Sequence, residues 1–450
     1  MINKQIVIKA VSTALLLSAT SVVHSANWLM LQGTEPQGAA ERAKVWGFIQ
    51  PEYQQTDGTK LQAGPWSGQN AQFNLIAPQR QTDSTFNIRR ARLGVRGTGF
   101  PLDSKVNYFL LAEMGNNGIT RPGGGNGAVR LTDASITLNH IPGARIRVGQ
   151  FKTPTAEEGL QAIHVFDYVN FTNVTGQLMM ERFFNGDGAD TFVTPAGDSG
   201  PGGDPNLANG PVSAFRDIGI QVFDTFKVSD WEHSYAVMIG NGNGIARSDN
   251  DDNKDIYLYW SSELIYGGKG PRRDSLKLFV WNQDGKRTLT TSGAGEYDRT
   301  RTGVGVTFRK AKYRAAAEYI EGEGMIQNGT DGGAKPGSAS NVSGTTASVN
   351  VATNGEADGY YLHFGYAVLP KLELDIRYDV YNRVTNVAVA ERTFDTTTLG
   401  AQYFFNKKTR ATINYEIRNA EAPNLPSSAP PNQILDGIDD LLSLQLITIF

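Results

Sequence analysis

The chain has 450 residues, no cysteine, 50 glycines and a formal net charge of −3. The absence of cysteine excludes disulfide bonds, thiolate zinc sites and thiol nucleophiles. The nearly balanced charge argues against a nucleic-acid partner, because binding to phosphates requires a basic surface.

The first 25 residues have the pattern of a secretory signal peptide. Lys4 and Lys9 give a positive start, residues 10–23 are apolar or small, and small residues surround a predicted cleavage after Ser25. Later in the chain, no run of about 18 apolar residues predicts a transmembrane helix. We therefore expect a signal peptide over 1–25, a periplasmic N-terminal arm over 26–42 and one β-barrel domain over 43–450.

Beyond the arm, short segments of alternating character are separated by turn residues. In the segment 371–381, the side chains at 372, 374, 376, 378 and 380 are apolar or aromatic, and those between them are charged. Only a strand sorts residues onto two faces with a period of two. Counting such segments predicts sixteen strands, near 43–54, 84–97, 105–114, 129–139, 144–152, 215–224, 231–240, 255–264, 275–282, 300–309, 313–321, 358–368, 371–381, 393–404, 409–418 and 441–450.

The predicted connections alternate in length. They are short after even strands, as at 140–143 and 369–370, and long after odd strands, as at 55–83, 153–214, 322–357 and 419–440. An even strand number with short turns on one side and long loops on the other is typical of bacterial outer-membrane barrels. The pattern predicts an all-β fold, a 16-stranded antiparallel transmembrane barrel with long extracellular loops. Such a barrel is too wide for side chains to fill, so its polar interior holds water.

Aromatic residues at predicted strand ends fit interfacial girdles, which lie where the membrane meets water. These residues are Trp46, Tyr53, Trp231, Trp260 and Tyr403. The last strand places Leu442, Leu444, Leu446 and Phe450 on one face. It resembles the C-terminal strand that the outer-membrane assembly machinery recognises in porins, with Phe450 as the assembly signal.

Three stretches resemble the phosphate-selective porin O and P family, in the same order along the chain. They are Phe86 to Gly97, Arg145 to Pro154, and Glu181-Arg182 followed by Arg216 to Ile220. The resemblance implies a homotrimeric channel in the Gram-negative outer membrane, with the third long loop (153–214) folded inward as a constriction. It also implies basic side chains that bind anions on the wall and near that loop.

Carried over residue by residue, the resemblance assigns a basic ladder to the pore wall. Arg90, Arg92 and Arg96 would form it, Arg145 and Arg147 would extend it, and Lys152 would lie where the fifth strand enters the constriction loop. Arg182 would lie on that loop. The alternative is that these arginines pair with acids of the third loop, namely Glu157, Glu158, Asp167 and Glu181. Acids are also predicted on the inner face, at Glu113, Asp133, Asp217, Glu263, Glu318 and Glu373.

We therefore expect passive diffusion of small hydrophilic solutes, with a preference for anions such as phosphate. A general or organic-anion channel, for instance for dicarboxylates, is the alternative, and a barrel-based outer-membrane hydrolase is a further one. The expected partners are small anionic solutes, outer-membrane lipid and lipopolysaccharide, the assembly machinery and two further copies of the chain.

The chain contains motifs of other classes that lack their required neighbours. Gly197 to Gly200 resembles a serine-protease motif without an accompanying histidine motif, so no catalytic residues are expected. Asp249, Asp251, Asn253 and Asp255 resemble a calcium loop, but Lys254 replaces the glycine that an EF-hand requires. We expect neither a metal site nor a cofactor.

Overall fold

The computed structural model describes residues 27–30, 32, 34, 42–64, 67–68, 71, 82–98, 103–116, 119–120, 129–180, 214–245, 249, 251–268, 273–289, 295–327 and 351–450. The predicted signal peptide and Arg182 lie outside these residues.

Eighteen strands follow one another along the described chain, and sixteen of them close into a single antiparallel barrel. They are β1 (Lys44–Gln55), β2 (Ser84–Thr98), β3 (Val106–Glu113), β4 (Arg130–Leu138), β5 (Arg145–Lys152), β6 (Arg216–Val228), β7 (Trp231–Gly240), β8 (Asp255–Gly267), β9 (Asp274–Leu289), β10 (Gly295–Lys310), β11 (Tyr313–Glu323), β12 (Ile326–Gln327), β13 (Val351–Ala352), β14 (Glu356–Leu369), β15 (Leu372–Arg383), β16 (Arg392–Phe404), β17 (Thr409–Glu421) and β18 (Leu441–Ile449). Strands β12 and β13 form a separate two-stranded sheet. Short helical turns occur at Trp28–Met30, Glu157–Leu160, Val174–Met179 and Pro430–Leu435.

The barrel closes between its first and last strands, where Phe48 of β1 lies opposite Ile449 of β18. This confirms the predicted 16-stranded antiparallel barrel, and each predicted strand overlaps an observed one. Two strands are longer than predicted. Strand β9 continues past its predicted end to Leu289, and β10 begins before its predicted start, at Gly295. Their added residues are mostly polar, as at Arg287, and so lack the apolar alternation that the prediction relied on.

The two faces of the barrel differ as a membrane requires. On β8, Ile256, Leu258 and Trp260 point outward and are 46%, 46% and 43% exposed, while Tyr257 and Tyr259 between them point inward and are buried. An outer apolar belt around a polar interior is the arrangement of an outer-membrane barrel. No helix in the described part of the chain combines the length and apolar character needed to cross a membrane.

The predicted aromatic girdle requires outward side chains, and Trp260 and Tyr403 are exposed on the outer face. It is wrong for Trp46, whose ring faces the lumen and lies 5.9 Å from the ring of His164 between centroids. The phase of β1 explains the error, because Val45 and Ile49 take the outward positions.

Candidate pore constriction

The third loop leaves β5 at Lys152 and folds into the lumen. Its first helical turn, Glu157–Leu160, is held at its C-terminal end by Lys152. The Lys152 ammonium donates to the carbonyl oxygens of Gly159 at 2.8 Å and Leu160 at 3.3 Å, and also to that of Gln161. Lys152 therefore lies at the predicted entry to the constriction loop, with its donors turned toward the loop backbone.

Three acids of the third loop pair with the wall across the lumen from β2. Glu157 accepts from Lys277 Nζ at 2.5 Å, and Glu158 accepts from Arg377 Nη1 at 3.1 Å. Asp167 lies 3.3 Å from Arg314 Nε. These bases on β9, β11 and β15 were absent from the predicted site, because their meeting with the loop depends on its path through the barrel. The three ion pairs fix the loop against that wall.

The loop then continues toward the seam of the barrel. The backbone N–H of Val169 donates to Asn414 Oδ1 at 2.8 Å, and the backbone N–H of Asn173 donates to Asp379 Oδ1 at 2.7 Å. Between them, Asn170 Oδ1 accepts from Arg89 Nη1 at 2.9 Å. The loop thus contacts several sides of the lumen and narrows it.

The arginines of β2 face the lumen in a way that the alternation does not fully predict. A bulge occurs where Gln50 and Pro51 of β1 oppose Arg90 and Ile88 of β2. Because the bulge inserts Arg89, both Arg89 and Arg90 turn inward, and each is 3% exposed. Arg89 was not among the predicted ladder residues. The signal for it was Pro51, since proline within a paired strand marks a bulge or an edge.

The predicted ladder residues have partners on their own side of the barrel. Arg90 Nη1 donates to the amide oxygen of Gln50 at 3.1 Å, and Arg92 Nε donates to Glu113 at 2.8 Å. The alternative pairing of these two arginines with third-loop acids does not occur among the described residues, and Glu181 lies outside them. The third-loop acids do form ion pairs, as the alternative predicted, but their partners are Lys277, Arg377 and Arg314 rather than the ladder arginines.

Arg145 and Arg147 continue the basic surface along β5. Arg145 Nε lies 3.1 Å from Asp224, and its side chain is 28% exposed. Arg147 is buried, with its guanidinium carbon 4.2 Å from the centroid of the Phe223 ring. Arg216 of β6 makes two hydrogen bonds to Asp133, at 3.1 and 3.0 Å.

The start of the N-terminal arm lies inside the barrel, which corrects its predicted periplasmic position. Trp28 Nε1 donates to Glu157 Oε1 at 2.9 Å, and Gln32 Nε2 donates to Asp133 Oδ1 at 2.8 Å. The Leu29 carbonyl accepts from Arg147 Nη2 at 3.4 Å. A 16-stranded lumen has room for such a segment, and the wall offers partners for its polar groups.

The arm, the loop and the β1–β6 wall enclose a space of about 180 Å³, which we name the basic cavity. Five of its lining side chains are basic, and none of the described acidic side chains lines it. The basic residues are Arg92, Arg96, Arg147, Lys152 and Arg216. A second cavity on the opposite side of the loop has a mixed lining that includes Glu158, Asp167 and Arg377. The lumen is therefore electrically asymmetric.

His164 of the third loop also lines the basic cavity, with its ring 5.4 Å from that of Phe48. Burial lowers the pKa of His164 to about 4, and the nearby charges of Lys152 and Arg410 act in the same direction. The imidazole is therefore neutral at pH 7.

The depressed pKa of His164 predicts acid-sensitive stability. Between pH 6.5 and pH 4, the unfolded chain binds a proton at His164 that the folded chain does not bind, so stability falls as the pH falls. One such proton changes the free energy of unfolding by at most about 1.4 kcal/mol per pH unit. Urea unfolding in detergent should show a larger loss between pH 7 and pH 4.5 for the wild type than for His164→Asn. Equal losses in the two proteins would contradict the assignment.

Two histidines contact hydroxyl groups, on different faces of the barrel. Tyr168 Oη lies 2.7 Å from His363 Nδ1, and His233 Nδ1 lies 2.9 Å from Ser262 Oγ. In the described ranges, no group of three or more His, Cys, Asp or Glu residues is placed to hold a metal ion.

Comparison with known proteins gives one family and several similar folds. The family model for phosphate-selective porin O and P matches residues 61–175. No curated protein matches the chain. Among solved structures, OmpF of Salmonella typhi in complex with daunomycin is similar at 14% identity and a TM-score of 0.50, over 91% of this chain and 97% of that chain.

Two further solved structures are similar at lower TM-scores. The outer membrane channel DcaP of Acinetobacter baumannii is 13% identical with a TM-score of 0.49, over 93% of this chain and 100% of that chain. OmpT of Vibrio cholerae in its trimer form is 11% identical with a TM-score of 0.47, over 92% of this chain and 100% of that chain.

The family match includes two of the motif stretches that carried the resemblance, on β2 and β5. The likeness to OmpF shows a shared fold. The closed barrel, its apolar outer belt and its narrowed lumen agree with both findings. The chain is therefore a 16-stranded outer-membrane β-barrel whose residues 61–175 are similar to the phosphate-selective porins O and P.

Proposed function

We propose that the barrel is a passive pore for small hydrophilic solutes and that it prefers anions such as phosphate. The observation that carries this proposal is the pairing of third-loop acids with the far wall. Glu157, Glu158 and Asp167 pair with Lys277, Arg377 and Arg314, and so do not neutralise the arginines of β2.

Several bases on the β1–β6 side have neutral hydrogen-bond partners. Arg90 donates to an amide oxygen, and Lys152 donates to backbone carbonyls. Arg147 likewise donates to the Leu29 carbonyl. Their positive charges therefore remain available to attract anions into the lumen. Guanidinium groups replace part of the hydration shell that an anion loses in a narrow pore.

Replacing Arg90 and Arg92 together by Ala is expected to weaken anion preference. The change removes two positive charges and leaves the Glu113 carboxylate without its partner at 2.8 Å. We expect the chloride-to-potassium permeability ratio to fall roughly two- to fivefold, as suits charges screened by water. Reversal potentials across a planar bilayer in a KCl gradient measure this ratio.

The matched control is the double variant Lys105→Ala and Lys407→Ala, which removes two exposed bases that lie outside the barrel strands. Its permeability ratio should equal that of the wild type. A cation-selective wild-type channel would overturn the anion preference while leaving the barrel intact. An unchanged ratio in the Arg90 and Arg92 variant would show that these residues only brace the wall.

A barrel-based hydrolase is the second candidate, because His233 contacts Ser262 on the outer face. Two observations argue against activation of this serine. The Trp260 indole donates to the same hydroxyl at 3.1 Å, and no acidic side chain within the described ranges orients His233. We therefore propose that the protein is not an enzyme. Hydrolysis of a p-nitrophenyl ester that is lost in Ser262→Ala would contradict this.

We also propose that the pore is a homotrimer in contact with outer-membrane lipid and lipopolysaccharide. The resemblance to the phosphate-selective porins supports the trimer, and the outer apolar belt supports the lipid contact. Light scattering of the protein in detergent gives the number of copies. A monomeric mass would overturn the trimer without affecting conduction through each barrel.

A further inference from the structure

The basic cavity has two chemically different halves. One half is aromatic and apolar, and is formed by Trp46, Phe48, Phe109 and Leu111. The other half contains the five basic residues already named. An inorganic anion would use only the second half, because apolar rings offer nothing in exchange for its hydration shell. The cavity is therefore better matched to an anion that also has an apolar part.

Arg92 has donors available inside this cavity. Its side chain is 5% exposed, and its Nε donates to Glu113. Its two terminal nitrogens donate no hydrogen bond to any residue that the structure describes. The donors of Lys152 point to loop carbonyls, and Arg216 donates to Asp133 and to the Ala214 carbonyl. Arg92 can therefore present two parallel N–H groups to a carboxylate.

The aromatic half lies directly beside those donors. The guanidinium carbon of Arg92 is 5.7 Å from the centroid of the Phe48 ring. The ring of Trp46 lies 6.3 Å from that of Phe48 and 5.9 Å from that of Phe109. A ring attached to a carboxylate that Arg92 holds would therefore lie beside this group of three aromatic side chains.

The volume of the cavity fits one ring. It measures about 180 Å³, and an apolar cavity of about 150 Å³ is known to hold benzene. The N-terminal arm closes one side through Trp28 and Leu29, and His164 of the third loop closes another. Larger fused-ring anions would require the arm or the loop to move.

We infer that the basic cavity is a binding site for single-ring aromatic carboxylates on their way through the pore. The inference rests on the proposed anion-conducting function and names the class of solute that this lumen would favour. The ring packs against Trp46, Phe48 and Phe109, while the carboxylate accepts hydrogen bonds from Arg92.

The test compares benzoate with acetate as blockers of single-channel KCl current in a planar bilayer. The two share a carboxylate and differ in the ring. We expect benzoate to block the wild type at a concentration roughly tenfold lower than acetate, as suits one aromatic contact in a buried site. Trp46→Leu should reduce that ratio to roughly threefold or less, because the ring loses its main stacking partner. Arg92→Gln should weaken block by both anions.

Two further variants keep the test decisive. Phe109→Leu alters the same half of the cavity and serves if Trp46→Leu does not fold. Trp260→Leu removes an indole of the outer face, and its benzoate-to-acetate ratio should equal that of the wild type.

Failure of this inference is separable from failure of the proposed function. An anion-selective reversal potential with equal block by benzoate and acetate would overturn the aromatic site and leave the anion porin standing. A benzoate-to-acetate ratio that is unchanged in both Trp46→Leu and Phe109→Leu would likewise overturn the aromatic site. A cation-selective reversal potential would remove the basis of both.

Discussion

Replacing Glu158 by Ala is expected to release the constriction loop and raise the single-channel conductance. The Glu158 carboxylate accepts from the Thr172 amide at 3.0 Å, from the Thr172 hydroxyl at 2.6 Å and from Arg377 at 3.1 Å. It therefore joins two parts of the loop to β15. Both members of the ion pair are buried, at 2% and 3% exposure.

Loss of one partner from a buried pair costs about 3–5 kcal/mol. We expect the lower end, about 3 kcal/mol, because Asp379 remains 3.9 Å from Arg377 Nε. That cost is large enough to shift the loop away from the wall. The measurements are conductance in a planar bilayer and the urea midpoint of unfolding. The conductance should rise and become noisier, and the midpoint should fall.

Two variants control for this expectation. Glu158→Gln keeps one acceptor oxygen for Thr172, so its effect should be smaller than that of Glu158→Ala. Glu421→Ala removes an exposed carboxylate at the end of β17 and should leave both readouts unchanged. Wild-type conductance and midpoint in Glu158→Ala would show that the remaining contacts of the loop suffice to hold it.

Gly47→Ala is expected to weaken closure of the barrel. Gly47 exchanges backbone hydrogen bonds with Phe450, at 3.2 and 3.0 Å. A β-carbon on Gly47 would lie 2.4 Å from the Arg92 carbonyl oxygen and 2.5 Å from the Phe450 ring. The carbonyl belongs to the β1–β2 pair, so relief requires the strands themselves to shift.

Overpacking of this kind costs about 1–3 kcal/mol. We expect a lower urea midpoint and a smaller fraction of barrel that resists unfolding by detergent on an unheated gel. Gly267→Ala is the matched control, because a β-carbon there meets no atom within 4 Å. Equal urea midpoints and equal resistance to detergent in Gly47→Ala and Gly267→Ala would contradict this prediction. They would show that β1 and its neighbouring strands can shift to accept the added β-carbon without loss of stability.

Combining Gly47→Ala with Phe450→Ala separates the two contacts. Removal of the Phe450 ring relieves its clash with the added β-carbon, whereas the Arg92 carbonyl oxygen stays too close to that β-carbon. Partial recovery of the midpoint is therefore the expected outcome.

The architecture of the barrel could be predicted from the amino-acid sequence. The alternation along β15 and the alternating loop lengths predicted sixteen strands and their order, because side-chain direction in a strand repeats every two residues. The motif on β2 identified the family resemblance and placed Arg90 and Arg92 on the inner wall. These inferences needed only the apolar–polar alternation, the lengths of the connections and the family resemblance.

The contacts between side chains in the lumen could not be predicted, because they join residues that are far apart in the sequence. Glu158 and Arg377 are 219 positions apart and meet because the third loop crosses the lumen. The bulge at Pro51 turned Arg89 inward, and the phase of β1 turned Trp46 from the membrane to the basic cavity. The arm residue Trp28 lies on Glu157 rather than in the periplasm. Each of these facts depends on a bulge, on the phase of a strand or on the path of a loop, and the alternation of apolar and polar residues does not determine these features.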